Sequence, residues 1–166
     1  MWSGEPDDTA ARVLEALAAR GETLATAESL TGGLLSAQLT DVPGASRSFV
    51  GGVVSYATRV KVSLLGVPDV LVETYGVVSG ECAGAMAQGA RRALGATWAA
   101  ATTGVAGPDE QEGKPVGTVW VAVAGPSGGV DRRLALSGGD RLAIRRATCD
   151  AALELLEEQI AAVKSG

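Results

Sequence analysis

Ser29 stands where a serine could act as a nucleophile. It follows a strand-like run and precedes the glycine pair Gly32-Gly33, which opens a predicted helix. The first backbone N–H groups of a helix have no intrahelical acceptor, so they suit an oxyanion or a phosphate. A serine before a helix is also a common cap. This stretch alone therefore leaves two interpretations open, a nucleophile at Ser29 or a helix cap at Ser29 or Thr31.

Lys61 is the candidate base. The chain has no histidine, which excludes serine–histidine and cysteine–histidine catalysis and histidine-ligated metal sites. Of its lysines, Lys61, Lys114 and Lys164, only Lys61 lies in the first turns of a predicted helix, just after Tyr56. The helix dipole and partial burial would lower its pKa, and a neutral lysine can take the proton of a serine hydroxyl. The alternative is a solvated surface lysine.

Two further stretches could bind a ligand. The glycine-rich loop after Thr102 contains Thr103, Gly104 and Gly107, and its backbone N–H groups could hold an anion. Its glycine spacing fits neither a P-loop nor a dinucleotide fingerprint, and an ordinary long connection is the alternative. Arg141 and Arg145 lie one helical turn apart, so they could clamp a phosphate or form a solvated basic face.

The elements that must position these residues alternate between helices and strands. The patterns predict helices over 8–20, 31–40, 58–65, 68–75, 79–94 and 140–163, and strands over 23–27, 49–57, 97–102, 118–124 and 130–136. They also predict a bulge at Gly51-Gly52 and a hairpin turn over 125–129. This order is typical of an α/β fold, a three-layer α/β/α sandwich around a mixed, mostly parallel sheet with one hairpin. Because such sheets bind ligands at the carboxyl ends of their strands, we expect a site after Ala27 and Thr102.

Composition and charge limit the class of protein. The 166 residues, 46% hydrophobic and 20% charged, predict one folded domain over 1–166. A net charge of −5 argues against a nucleic-acid binder, and no apolar run is long enough to span a membrane. The acidic N-terminus lacks a signal-peptide pattern, and Cys82 and Cys149 fit buried thiols. We therefore expect a cytoplasmic protein with a small-molecule ligand, while the Ala- and Gly-rich composition leaves a homo-oligomer open.

Together these stretches resemble the CinA carboxy-terminal domain family. The matching segments are AESLTGG (27–33), DVPGAS (41–46), FVGGVVSYATRVK (49–61), YGVVS (75–79), TGVAGP (103–108), KPVGTV (114–119) and SGGDR (137–141). Their order and spacing agree with the family over nearly the whole chain. The chain looks like the standalone form of this domain, since its length leaves no room for the amino-terminal nucleotide-binding domain that many members carry.

The resemblance implies an amidohydrolase that needs no metal or cofactor. Its substrate would be nicotinamide mononucleotide, whose carboxamide is hydrolysed to nicotinate mononucleotide and ammonia. Carried over by motif, Ser29 is the nucleophile, Lys61 the base and Tyr56 a polar partner. The implied substrate-binding residues are Thr31, Gly32, Gly33, Ser46, Thr103, Gly104, Gly107 and, for the phosphate, Arg141 or Arg145. Two other functions stay open, namely a nucleotide-binding module without turnover and a hydrolase of another small amide.

Overall fold

A five-stranded sheet lies between two layers of helices in the computed structural model, which describes residues 8–163. The strands are β1 (Leu24–Glu28), β2 (Phe49–Val54), β3 (Trp98–Gly104), β4 (Thr118–Gly125) and β5 (Gly128–Ala135). The helices are α1 (Asp8–Arg20), α2 (Leu34–Thr40), α3 (Thr58–Leu65), α4 (Asp69–Tyr75), α5 (Gly80–Leu94) and α6 (Arg141–Ala162), and a 3-10 turn covers Ala45–Arg47. The predicted three-layer α/β/α sandwich is confirmed.

The sheet has the strand order β2-β1-β3-β4-β5. Strand β1 pairs in parallel with β2 and β3, whereas β4 pairs antiparallel with β3 and β5. Four strands therefore run in one direction and β4 runs in the other. The register shift between Leu24 and Ala25 leaves Val50 unpaired, so the irregularity of β2 lies one residue before the predicted Gly51-Gly52. The predicted hairpin is present and turns between Gly125 and Gly128.

One apolar core covers each face of the sheet. Helices α1, α2 and α6 pack on one face, where Leu17, Leu35 and Leu153 are fully buried. Helices α3, α4 and α5 pack on the other face, where α5 crosses β1, β3 and β4. That face of the strands is built mainly from alanine, so α5 and the elements joined to it lie close to the sheet. Within residues 8–163, no helix is long and apolar enough to cross a bilayer.

Gly89 sets the distance between α5 and α3, the helix that carries Lys61. A Cβ at Gly89 would lie 1.9 Å from the carbonyl oxygen of Leu65, a backbone atom that cannot rotate away. We expect Gly89→Ala to lower the free energy of unfolding by about 1–3 kcal/mol, because one helix must move. Gly84→Ala is the matched control, since a Cβ there meets no atom within 4 Å. Urea denaturation of both variants measures the difference, and equal stabilities would contradict this packing.

Candidate active site

The turn after β1 brings Ser29 to the wall of a cavity of about 330 Å³. The Ser29 N–H donates to the carbonyl of Thr102 on β3 at 3.0 Å, and the Ser29 carbonyl accepts from Gly32 N–H at 3.1 Å. Gly32 and Gly33 have φ angles of 57° and 104°, a left-handed conformation that favours glycine. The chain therefore turns through 29–33, and the helix predicted from residue 31 begins only at Leu34.

Glu28, the last residue of β1, binds the N-terminus of α2. Its fully buried carboxylate accepts from the N–H groups of Gly33, Leu35 and Ser36 at 3.2, 2.8 and 3.1 Å. The Glu28 carboxylate thus caps α2, and the interpretation of Ser29 or Thr31 as the cap of this helix is wrong. The expectation that the first turn of this helix offers free N–H groups to a ligand is also wrong, since Leu35 and Ser36 donate to Glu28 and Leu34 donates to the Thr31 carbonyl.

Lys61 points from α3 directly at Ser29. Its Nζ donates to Ser29 Oγ at 2.9 Å, to the Ser55 carbonyl at 2.7 Å and to the Tyr56 carbonyl at 3.2 Å. The residue is 1% exposed, so the alternative of a solvated surface lysine is wrong. When Lys61 is neutral, its two N–H bonds can satisfy the two carbonyls and its lone pair faces the Ser29 hydroxyl.

Burial lowers the pKa of Lys61 below the ordinary lysine value of 10.5, because the charged form loses its hydration. Two acidic groups, Cys82 and Glu112, act in the opposite direction. Burial raises the pKa of the Cys82 thiol to about 11, so this group is uncharged near neutral pH. The site therefore holds a lysine that loses its proton more easily than a solvated one, in contact with a serine hydroxyl.

Leu30 supplies a hydrogen-bond donor beside Ser29. Within residues 8–163, the N–H groups of Leu30 and Thr31 have no protein acceptor, whereas the N–H of Gly32 is taken by Ser29. Leu30 lines the cavity and Thr31 does not. Leu30 is therefore the residue of this turn that both lines the cavity and has an N–H group without a protein acceptor, the kind of group that can bind an oxyanion.

Tyr56 and Arg141 form the rim of the cavity. Arg141 Nη2 donates to the Tyr56 hydroxyl at 3.0 Å, and Nη1 donates to the Gly107 carbonyl. Tyr56 is 60% exposed, and it contacts Lys61 through its backbone carbonyl rather than its hydroxyl. Arg141 thus joins the start of α6 to the two loops on either side of the cavity mouth.

Arg145 lies behind the Ser29 turn, outside the cavity. Its Nε donates to the Leu30 carbonyl at 2.9 Å and its Nη2 to the Thr31 carbonyl at 3.0 Å. Arg141 lines the cavity and Arg145 does not, so the structure favours Arg141 over Arg145 for a ligand phosphate. Thr31 also faces away from the cavity, since its hydroxyl bonds to that of the buried Thr102 at 2.8 Å.

The glycine-rich loop after β3 forms another part of the cavity wall. Thr103, Gly104 and Gly107 line the cavity, but the Thr103 hydroxyl donates to the Val77 carbonyl at 2.8 Å. Gly32 and Gly33 shape the Ser29 turn without lining the cavity. Thr103 and these two glycines are thus placed to shape the site rather than to touch a ligand through their side chains.

Ser46 does not join the site. It is exposed in the 3-10 turn before β2, whereas Ser55, whose carbonyl contacts Lys61, follows the carboxyl end of that strand. The six residues of β2 separate the two positions, so the expectation that Ser46 lines the pocket is corrected. The DVPGAS motif that contains Ser46 comes before β2, whereas Ser55 follows it. The two serines are close in the sequence but lie at opposite ends of β2.

Comparison with known proteins decides the family. The CinA C-terminal domain family matches residues 6–160. This chain belongs to that family. It is 52% identical over 161 residues to a CinA-like protein of Frankia casuarinae. The matched region covers 97% of this chain and 37% of that protein. It is 51% identical to a putative competence-damage inducible protein of Desulforamulus reducens, over 81% of this chain and 33% of that protein. The chain thus spans about a third of the length of these curated relatives.

Two solved CinA structures share the fold over nearly their whole length. A CinA superfamily protein of Klebsiella pneumoniae has a TM-score of 0.91 and 33% identity, covering 96% of this chain and 100% of that one. The competence/damage inducible protein CihA of Agrobacterium tumefaciens has a TM-score of 0.90 and 34% identity, covering 97% and 98%. The expected CinA fold is therefore confirmed.

Several groups that build the site of this CinA domain were not predicted from the sequence. Glu28 ends a strand whose other residues are apolar or threonine, and a carboxylate inside a buried strand is a signal that could have found it. The Ser55 carbonyl and the Thr102 backbone carry no side-chain signal.

Of the other two lysines, Lys114 donates to the Val78 carbonyl, and Lys164 lies outside the described residues. Within residues 8–163, no three His, Cys, Asp or Glu side chains cluster as metal ligands would.

Proposed function

We propose that this CinA domain hydrolyses the carboxamide of nicotinamide mononucleotide, giving nicotinate mononucleotide and ammonia. The observation that carries the chemistry is the 2.9 Å contact between Lys61 Nζ and Ser29 Oγ at the cavity wall. A serine next to a buried lysine with a lowered pKa is suited to nucleophilic attack on an amide. The choice of substrate comes from the resemblance of the sequence motifs to the family and is supported by a cationic group, Arg141, at the rim.

The first half of the reaction forms an acyl-enzyme. Neutral Lys61 takes the Ser29 proton while Ser29 Oγ attacks the carboxamide carbon, and the oxygen of the tetrahedral intermediate accepts from the Leu30 N–H. The C–N bond then breaks, and protonated Lys61 returns the proton to the leaving nitrogen, which departs as ammonia. Lys61 is neutral again when the acyl group is on Ser29.

The second half releases the acid. A water molecule gives a proton to Lys61 and attacks the acyl carbon, and the bond to Ser29 Oγ breaks as Lys61 returns the proton to that oxygen. The sum is one amide and one water converted to one carboxylic acid and one ammonia. The substrate phosphate would bind at the rim, where it orients the amide without taking part in the chemistry.

Arg141 is proposed to hold that phosphate. We expect Arg141→Met to raise the KM for the mononucleotide by about ten- to a hundredfold, since hydrogen bonds to charged groups contribute about 1.5–3 kcal/mol. The KM for nicotinamide riboside, which has no phosphate, should change little. Arg146→Met is the matched control, because it removes an exposed arginine from the same helix. Equal effects on both substrates would contradict the assignment.

Ammonia release from purified protein tests the function as a whole. The substrates are nicotinamide mononucleotide, nicotinamide riboside and free nicotinamide, each with a chelator present. We expect turnover with the mononucleotide and much less with the other two. Tight mononucleotide binding without ammonia release would favour a binding module, and turnover of a different small amide alone would place the same chemistry on another substrate.

A further inference from the structure

The segment that joins α4 to α5 is bound by side chains of β3 and of the loop that follows β3. Glu112 Oε2 accepts the Val77 N–H at 3.0 Å, and Oε1 accepts the Val78 N–H at 2.9 Å. The Val77 carbonyl accepts from the Thr103 hydroxyl, and the Val78 carbonyl accepts from the Lys114 amine. Every backbone polar group of Val77 and Val78 is therefore bonded to a side chain of β3 or of the loop that follows it.

Val77 and Val78 are both buried and both line the cavity that contains Ser29 and Lys61. We call these two residues the valine wall. Its position depends on the loop, because the valines are held through their backbone and not through a strand or helix of their own. A change in the loop would therefore change the shape of the cavity next to the catalytic pair.

The backbone conformation of Glu112 and the contacts of its carboxylate both hold this residue in place. Its φ of 53° makes it the one residue other than glycine with a positive φ within 8–163. The carboxylate lies against the backbone of Gly76, where a Cβ would be 2.7 Å from Oε2. Lys114 Nζ lies 3.8 Å from Oε1. An unfavourable backbone conformation persists only where the surrounding contacts hold it. Here those contacts include the hydrogen bonds of the Glu112 carboxylate to the valine wall.

The charge of Glu112 also acts on Lys61. The titratable groups that act on Lys61 are Cys82, from α5, and Glu112, from the loop, and the remaining contacts of Nζ are the Ser29 hydroxyl and two backbone carbonyls. Since the Cys82 thiol is uncharged near neutral pH, Glu112 is the carboxylate that favours the charged form of Lys61. It thereby opposes the lowering of the Lys61 pKa by burial.

We propose that Glu112 is a positioning residue that fixes the valine wall of the active site and orients a bound amide toward the Ser29–Lys61 pair. This inference rests on the proposed function, but it concerns a residue that touches neither the nucleophile nor the base. The hydrogen bonds of Glu112 to Val77 and Val78 carry the inference, and the pH at which the pair becomes active gives a second readout of the carboxylate.

The test compares Glu112→Gln, Glu112→Asp and the control Glu73→Gln, which removes an exposed carboxylate from the neighbouring α4. The first readout is amide hydrogen exchange at Val77 and Val78, followed by NMR. The second is the pH profile of Ser29 acylation by a serine-directed reagent and of ammonia release from the mononucleotide.

In Glu112→Gln, one side-chain oxygen accepts where two did, and the charge is gone. We expect exchange at Val77 and Val78 to be at least about tenfold faster and turnover to fall by roughly ten- to a hundredfold. Because a carboxylate that favours protonated Lys61 has been removed, the acid limb of both profiles moves to lower pH. Glu112→Asp keeps the charge but is one methylene shorter, so exchange becomes faster while the limb moves less. Glu73→Gln should match the wild type in every measurement.

Unchanged exchange in Glu112→Gln overturns the inference, and so does faster exchange with an unchanged pH profile and turnover. If Glu112→Gln does not fold, the same criteria apply to Glu112→Asp through exchange and turnover. Failure of the proposed function looks different. In that case the wild type is neither acylated at Ser29 nor able to release ammonia, and exchange at Val77 and Val78 alone then decides whether Glu112 holds the wall.

Discussion

Ser29→Ala is expected to lower ammonia release from the mononucleotide by about 10⁴-fold or more while mononucleotide binding survives. The variant removes the oxygen that attacks the carboxamide, and no other hydroxyl contacts Lys61 Nζ among the described residues. Its backbone bonds to Thr102 and Gly32 do not depend on the side chain, so the turn should keep its shape. Ammonia release and calorimetric titration with the mononucleotide measure the two properties.

Ser46→Ala is the matched control for this prediction. It makes the same chemical change at an exposed serine at the opposite end of β2, so turnover should equal that of the wild type. Full turnover by Ser29→Ala would exclude Ser29 as the nucleophile. Loss of binding in Ser29→Ala would show that the substitution disturbs the cavity and not only the chemistry.

Lys61→Met should lower kcat/KM by about 10²- to 10⁴-fold, the usual contribution of a general base. Methionine fills a similar buried volume but cannot take the Ser29 proton. In the wild type, kcat/KM should rise with pH as Lys61 loses its proton, because only the neutral amine acts as a base. Since burial lowers the Lys61 pKa, this rise lies below the ordinary lysine value of 10.5. Profiles of kcat/KM against pH for both proteins measure the effect.

Arg59→Met is the control for Lys61→Met. It removes an exposed cation from the same helix, two positions away, and should keep the acid limb of the wild type. If Lys61→Met kept both the rate and the acid limb of the wild type, the base would have to be another group. An acid limb that moved equally in Arg59→Met would mean that the overall charge of α3 sets the pH dependence.

Much of the fold follows from local pattern. The predicted bounds of α1 and α3 match the structure, and Ser79 caps α5 by accepting from the Cys82 N–H at 3.1 Å. Each depends on short-range signals, namely spaced apolar residues, a cap and a glycine after the last turn. The start of α2 was harder to predict, because Glu28 satisfies its N–H groups from the end of β1 and lets the chain turn through Gly32-Gly33.

The site followed from the rule that parallel strands present their carboxyl ends at one edge. That rule predicts that the turn after β1 and the loop after β3 lie together, and Ser29, Thr103 and Gly104 do share one cavity. It cannot say which face of a helix turns inward after a loop. Arg141 and Arg145 look equivalent in the sequence, yet one faces the cavity and the other binds the carbonyls behind Ser29.

The sequence could not predict the long-range polar contacts either, because it does not show how the chain is oriented after a loop. Glu112 binds two N–H groups that lie 34 and 35 residues earlier in the chain, and the contact depends on the path of an irregular loop. The Thr103 hydroxyl turns toward Val77 rather than toward a ligand, which a motif cannot reveal. Backbone acceptors such as the Ser55 carbonyl carry no residue-type signal at all, although they help to orient Lys61.

The proton on Lys61 is the most direct test of the proposed chemistry. With ¹⁵N-labelled lysine, NMR can follow the Lys61 side-chain nitrogen through a pH titration, and the spectrum of Lys61→Met assigns its resonance. We expect Lys61 to lose its proton well below 10.5, at the pH where kcat/KM of the wild type rises. A Lys61 side chain that stays an ammonium ion throughout the pH range in which the enzyme releases ammonia would contradict its role as the base.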